Sequence, residues 1–163
     1  MARALVVGCG CRGRELGIRL LDAEWQVRGT TRRAEGMSAI EAAGIEAAVA
    51  DPDRIGTIVD LVGDVAVVAW LLGSADGHPD QIAALHGPRL ERLCEEIVDT
   101  PVRGLVYEAA GTVPAELLSE GKRICSDASQ RWHIPVAVLD HDPADPGGWS
   151  TAAQSAVLRV IGG

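Results

Sequence analysis

Ala4-Leu5-Val6-Val7-Gly8-Cys9-Gly10-Cys11-Arg12-Gly13, running on into Arg14–Asp22, is the stretch on which the reading of the fold turns. Its apolar run reads as a strand, and the residues after Gly13 read as a helix. Between a strand and a helix, G-x-G-x-x-G signals a turn that binds a dinucleotide. Gly8 then allows the tight turn, Gly10 lets backbone approach a pyrophosphate, and Gly13 lets helix pack on strand. The helix that follows presents unpaired N–H groups and a positive dipole end to the phosphates.

The same alternation continues along the chain. Strand-like runs are expected at 3–7, 26–30, 46–50, 65–70, 103–108 and 135–139. Helical patterns are expected at 14–23, 37–43, 52–62, 78–99, 115–133 and 150–161. Val65-Ala66-Val67-Val68-Ala69-Trp70 is apolar almost throughout, as suits a strand covered on both faces. Gly87-Pro88 interrupts the fourth helical segment, and Pro88 suits the first position of a second helix. Strands alternating with helices predict an α/β fold with a doubly wound parallel sheet of Rossmann type, six strands in the order 3-2-1-4-5-6, as one domain over 1–163. Asp140 to Trp149, with two Pro and two Gly, reads as the one long irregular loop.

Bulk properties narrow the function. With 163 residues, 47% hydrophobic and no Phe, the core must be built from Val, Leu, Ile, Ala and Trp. A net charge of −8 argues against nucleic acid as a partner, because that surface must be basic. No run approaches membrane-spanning length and no basic-then-apolar leader opens the chain, so a cytoplasmic location is expected. Cys9, Cys11, Cys94 and Cys125 suggest neither a disulfide framework nor a metal site. Cys9 and Cys11 lie at a helix N-terminus, where a thiol can be activated, although small residues that fill the turn explain them more simply.

The end of the second strand discriminates between cofactors. A carboxylate there would bind the ribose 2′-OH of NAD, whereas Arg accommodates the 2′-phosphate of NADP. The chain has Thr31-Arg32-Arg33 and no carboxylate, and Arg12 is expected to approach the same phosphate. Two charged hydrogen bonds at roughly 1.5–3 kcal/mol each would favour NADP(H) over NAD(H) by about a hundredfold or more. Asp51, closing the third strand, is expected to face the adenine, to cap the next helix, or both.

With its glycine loop, Gly17 one turn later, Thr31-Arg32-Arg33, Val49-Ala50-Asp51 and Leu105–Val113, the sequence resembles the atypical short-chain dehydrogenase/reductases, NmrA-like and extended members especially. The resemblance implies NAD(P) in a crevice above the carboxyl ends of strands one and four, with Leu72, Gly73 and Ser74 near the nicotinamide. Two departures qualify it. Active members carry Ser or Thr after the fifth strand and a Tyr-x-x-x-Lys pair on the next helix. Here Ala109 or Ala110 occupies the serine position, the only lysine, Lys122, has Leu118 four residues before it, and the only tyrosine, Tyr107, has Gly111 four residues on. Extended members also carry a substrate-binding portion after the core, so a pocket here is expected to be small, shared with a second subunit, or absent.

The remaining polar candidates are Asp76, His78, Glu108, Asp140, His141 and Asp142, all expected at the carboxyl edge of the sheet. Glu108 could act as a base or hold His141 in one tautomer, although that rim is commonly polar because it is wet. Lys122 reads as a surface residue, Trp70 and Trp132 as core, and Trp149 as a lid or subunit contact. The cofactor-binding set is therefore Gly8, Gly10, Cys11, Arg12, Gly13, Thr31, Arg32, Arg33, Asp51, Leu72 and Gly73, with no metal ligands and with Glu108 and His141 as candidate catalysts. Two functions fit: an NADPH-dependent reductase of a small carbonyl compound, or a dinucleotide sensor that acts through a protein partner. A homodimer through the fourth and fifth helices is what the resemblance implies.

Overall fold

The computed structural model describes residues 2–162; Met1 and Gly163, the ends of the expected 1–163 span, lie outside the described residues. Strands β1 (Arg3–Val7), β2 (Gln26–Thr31), β3 (Glu46–Val49), β4 (Val67–Trp70), β5 (Gly104–Glu108) and β6 (Val136–Leu139) form one parallel sheet in the order β3-β2-β1-β4-β5-β6. This is the six-stranded Rossmann order expected from the sequence. Helices α1 (Cys11–Asp22), α2 (Met37–Ala42) and α7 (Pro146–Gly162) cover one face; α3 (Ile55–Val59), α4 (Pro79–Leu85), α5 (Pro88–Glu96) and α6 (Ala115–Trp132) cover the other.

The period-2 geometry of a strand sorts the core. Leu5 and Val7 of β1, with Val68 and Trp70 of β4, face α3–α6, while Ala4 and Val6, with Val67 and Ala69, face α1, α2 and α7. The central strands are buried on both sides, which is why they read as unbroken apolar runs.

Local chemistry sets the boundaries. Pro79 and Pro88 open α4 and α5, where the missing N–H costs nothing, and the His78 side chain caps α4 by accepting the Asp80 N–H at 3.1 Å. The expected helix at 52–62 shrinks to α3. Asp51 Oδ1 accepts the Asp53 N–H at 2.9 Å, and this side-chain turn competes with helix until Ile55. Asp51 therefore caps that turn and not α3.

The largest difference lies at 146–149. The expected loop is the first turn of α7, started by Pro146, and Gly147-Gly148 are carried into helix. Trp149 supplies the reason. It is neither a lid nor a surface contact but a core side chain, 1% exposed. Burial of so large a ring outweighs two glycines at about 1 kcal/mol each. Trp70 is core as expected, while Trp132 is only half-buried. No helix of the described residues is long and apolar enough to cross a membrane.

Candidate functional site

A cleft of about 520 Å³ opens above the carboxyl ends of β1, β2 and β4, walled by the Gly8–Gly13 turn and by Leu71 and Leu72. That is the crevice where a doubly wound sheet binds ligands, and its size suits a cofactor.

The three glycines of the turn differ in what surrounds them. Gly8 has φ +84°, and a Cβ there would lie 2.5 Å from the Leu71 carbonyl oxygen. At Gly13 a Cβ would lie 2.9 Å from the Gly8 carbonyl oxygen and 3.1 Å from Val6 Cγ1, so α1 rests directly on β1. A Cβ on Gly10 would meet nothing within 4 Å. Gly8 and Gly13 are thus needed by the protein itself, and Gly10 faces open cleft. Gly10 is also the N-cap of α1, contributes no side-chain cap, and no acidic residue occupies the first turn. The first-turn N–H groups of α1 therefore lie at the cleft with no side-chain cap and no acidic residue in that turn to offset the dipole.

Cys9 is buried, with its Sγ packed over Gly29 and its N–H bonded to the Thr30 carbonyl at 3.2 Å. Burial pushes its thiol up to about 11 despite nearby Arg14, so it is an inert filler of the turn. Cys11 is exposed at the first position of α1 and lines the cleft.

Thr31, Arg32 and Asp51 also line the cleft, on its β2–β3 side. Arg33 does not. Its N–H and C=O close a turn on Thr31 Oγ1 at 3.3 and 3.1 Å, and its side chain is exposed outside the cleft. Arg28, one residue before Gly29 in β2, is committed elsewhere, with Glu46 at 2.7 Å and Asp64 at 2.8 Å.

Arg12 departs from its expected place. Its guanidinium lies 5.7 Å from the centre of the Trp149 ring and acts on the charge of Glu108, at the end of β5. In the strand order β4 and β5 lie on one side of β1 and β2 on the other. Arg12 is therefore placed on the β5 side of the glycine turn and Arg32 on its β2 side, both lining the cleft.

Glu108 is fully buried rather than part of a wet rim. Its Oε1 accepts the Gly73 N–H at 2.9 Å and its Oε2 accepts the Trp149 Nε1–H at 2.9 Å. Burial pushes its carboxyl above the ordinary value; the Gly73 bond, the Arg12 charge and the Trp149 bond work against that, in decreasing order. It ties the β4 end, the β5 end and α7 together. Gly73 lies behind the wall, where a Cβ would run into the Ala110 carbonyl, while its neighbours Leu72 and Ser74 line the cleft.

His141 makes no hydrogen bond to Glu108. Its Nε2 pairs with Asp145 at 2.9 Å outside the cleft. Of the other rim candidates, Asp76 lines the cleft, Asp142 closes a local turn on the Ala144 N–H, and Asp140 and Lys122 are simply exposed.

Two arrangements escaped the sequence reading. Trp149 could have been found from the helical recurrence of Trp149, Ala153, Ala156, Val157 and Val160, which the Pro/Gly composition before it obscures. The second is a buried relay behind the cleft wall. His86 Nε2 lies 2.9 Å from the Leu72 carbonyl and must donate to it, which leaves Nδ1 to accept the Tyr107 hydroxyl at 2.6 Å. Burial lowers the His86 pKa and, as the largest effect, raises that of Tyr107. The chain's only tyrosine is thus a neutral strut pressed against Gly121 of α6. No single-sequence pattern marks such a pair.

No protein-family model and no curated protein matches the sequence. Solved structures match its fold. UDP-glucuronic acid 4-epimerase from Bacillus cereus, solved in complex with NAD, superposes with a TM-score of 0.69 at 16% identity, over 86% of this chain and 56% of that one. A short-chain dehydrogenase from Streptomyces avermitilis gives 0.65 at 17% over 85% and 64%. A Bacillus halodurans protein described as an NAD-dependent epimerase/dehydratase gives 0.70 at 18% over 87% and 71%. At these identities the likeness is one of fold, and the chain spans little more than half of the epimerase's length.

Proposed function

We propose that this chain is an NADP(H)-binding Rossmann protein of the atypical short-chain dehydrogenase type that uses the dinucleotide to reduce a small carbonyl compound in the cytoplasm. The observation that carries the reading is the open face of Gly10 at the uncapped N-terminus of α1, inside a cleft that the other two glycines keep clear. The pyrophosphate would sit on the first-turn N–H groups of α1, next to Cys11. Arg32, with Thr31, would meet the 2′-phosphate of NADP, and Asp51 with Ala50 would border the adenine. The nicotinamide would lie against Leu72 and Ser74. The neighbouring folds support a dinucleotide in this cleft, since the Bacillus cereus epimerase is a complex with NAD. Isothermal titration with NADP+ and NAD+ tests it: NADP+ should bind at least tenfold tighter, and equal affinities would refute the role given to Arg32.

When bound, the reduced cofactor would supply hydride. The chain's own contribution is to bind, orient and exclude water, because the family's Tyr-x-x-x-Lys pair is not in the sequence. A second reading, a dinucleotide sensor acting through a protein partner, draws on Glu108 and Tyr107. Both are locked in buried hydrogen bonds, so neither is free to move a proton. Tight NADPH binding with no turnover of aldehydes, ketones or quinones would favour it. Association through α5 and α6 would meet a face laced with ion pairs such as Arg92–Glu96 and Arg123–Asp127, so such a homodimer should be salt-sensitive.

A further inference from the structure

The cleft has an inner end, beyond the glycine turn, that the dinucleotide phosphates do not account for. There Arg12 lies over Trp149, whose ring is held by its Nε1–H bond to Glu108. The stack anchors the guanidinium as a cation on a π face. It does not satisfy its donors. Arg12 Nε is buried with no acceptor, and among the described residues no carboxylate oxygen lies within 4.0 Å of the group as an ion pair. Glu108 makes no hydrogen bond to it: its two oxygens accept the Gly73 N–H and the Trp149 Nε1–H. A protein of net charge −8 thus keeps, lining its cleft, an arginine with a buried donor unmet and, among the described residues, no ion-pair partner. A buried donor without an acceptor is destabilising, and a ligand oxygen would satisfy it.

We infer that Arg12 is the receptor for the carboxylate of a small monocarboxylic acid bound beside the nicotinamide position, which makes the carbonyl substrate an oxo acid. The planar fork of arginine matches a carboxylate with two parallel hydrogen bonds. Position separates this ligand from the cofactor phosphates: the guanidinium is on the β5 side of the turn, whereas the first-turn N–H groups of α1 serve the pyrophosphate above β1. Charge narrows it further. Glu108 is bonded to the same Trp149 ring that Arg12 overlies, so a dianion such as phosphate meets more repulsion there than a single carboxylate. The cleft wall next to it, Leu71 and Leu72, is apolar and suits a short carbon chain. The assignment as substrate rests on the NADP(H) reading above; the carboxylate site itself does not.

The test is calorimetric titration of oxamate, a small monocarboxylate, into protein saturated with NADP+ and into free protein. Uncharged oxamide and inorganic phosphate serve as contrasts, and Arg12→Met and Arg12→Lys as variants. Saturable oxamate binding is expected, at least tenfold weaker in Arg12→Met and intermediate in Arg12→Lys, with neither contrast binding comparably. NADP+ affinity should change less than threefold in Arg12→Lys. Absence of oxamate binding to either form of the protein overturns the inference, as does equal binding of oxamide. A tenfold or larger loss of NADP+ affinity in Arg12→Lys with oxamate binding unchanged also overturns it and assigns Arg12 to the pyrophosphate. If NADP+ does not bind at all, the proposed function fails, and titration of the free protein alone decides for or against the carboxylate site. Thermal unfolding checks that Arg12→Met is folded; if it is not, Arg12→Lys carries the comparison.

Discussion

Replacing Gly10 and Gly13 separately by alanine should split two effects that glycine loops usually confound. At Gly10 the backbone (φ −83°, ψ −155°) is open to an L residue, and the new methyl meets no atom within 4 Å. Its loss of cap quality, about 0.5–1 kcal/mol, opposes a gain of about 0.4–1 kcal/mol from the stiffer unfolded chain. Stability should therefore stay within about 1 kcal/mol of the parent. The same methyl stands where a phosphate must approach the α1 N–H groups. Losing one charge-assisted bond of roughly 1.5–3 kcal/mol weakens NADP+ binding by about one to two orders of magnitude. At Gly13 the order reverses. A Cβ 2.9 Å from the Gly8 carbonyl oxygen and 3.1 Å from Val6 Cγ1 overpacks the helix–strand contact. That costs about 1–3 kcal/mol, partly offset by about 1 kcal/mol of helix propensity. Urea unfolding measures the stabilities, and calorimetry on the folded fraction measures NADP+ affinity. A stable Gly10→Ala that binds NADP+ within threefold of the parent would refute the pyrophosphate assignment. A Gly10→Ala less stable than Gly13→Ala would refute the reading of the turn.

Arg32→Ala should weaken NADP+ by about tenfold or more and leave NAD+ unchanged, while Arg33→Ala should alter neither; calorimetry distinguishes them, and equal effects of the two would remove the structural distinction between these neighbours. Trp149→Phe keeps the buried ring but strips Glu108 of one donor, so urea unfolding should report a loss of about 1–3 kcal/mol; no loss would mean that the bond is idle. Because burial raises the Glu108 pKa in the folded protein, the native state holds its proton more tightly than the unfolded chain. Stability should then fall as pH rises from the ordinary carboxyl value through the raised one, and Glu108→Gln should flatten that part of the profile; an unchanged slope would count against a strained carboxylate. His86 has the opposite sign: its folded pKa is lowered, so stability falls as pH drops below the ordinary value of 6.5, and a urea midpoint unchanged between pH 7.5 and 5.5 in parent and His86→Gln alike would contradict a neutral buried imidazole.

Adjacent residues carried most of what was legible beforehand. A strand announces itself through near-continuous burial, and a glycine turn through spacing, so β1, the turn, α1 and the strand order followed from residues close together in the chain. The same is true of the helix break at Gly87-Pro88, since proline acts on its own backbone. Where the reading went astray, a partner distant in sequence decided. Pro146-Gly147-Gly148 are loop formers by composition, and only the slot for Trp149 against β5 and β6 turns them into helix. Glu108 looked like rim polarity because nothing local says that Gly73 and Trp149 will each hand it an N–H. Arg12 and Arg33 looked like companions of Arg32 because they share its charge; the direction of α1 and one tight turn at Thr31 send them elsewhere.

By itself, then, the order of residues determined a doubly wound sheet with a glycine turn at its switch point, because hydrophobic period and turn chemistry act over a few bonds. Tertiary structure alone decided which cations face the cleft, that the one tyrosine and the carboxylate ending β5 are bound up in the core, and that Arg12 Nε is left without an acceptor. Those outcomes depend on which surfaces meet when the layers close, and burial of a ring or a charge outweighs the local preferences of the residues on either side.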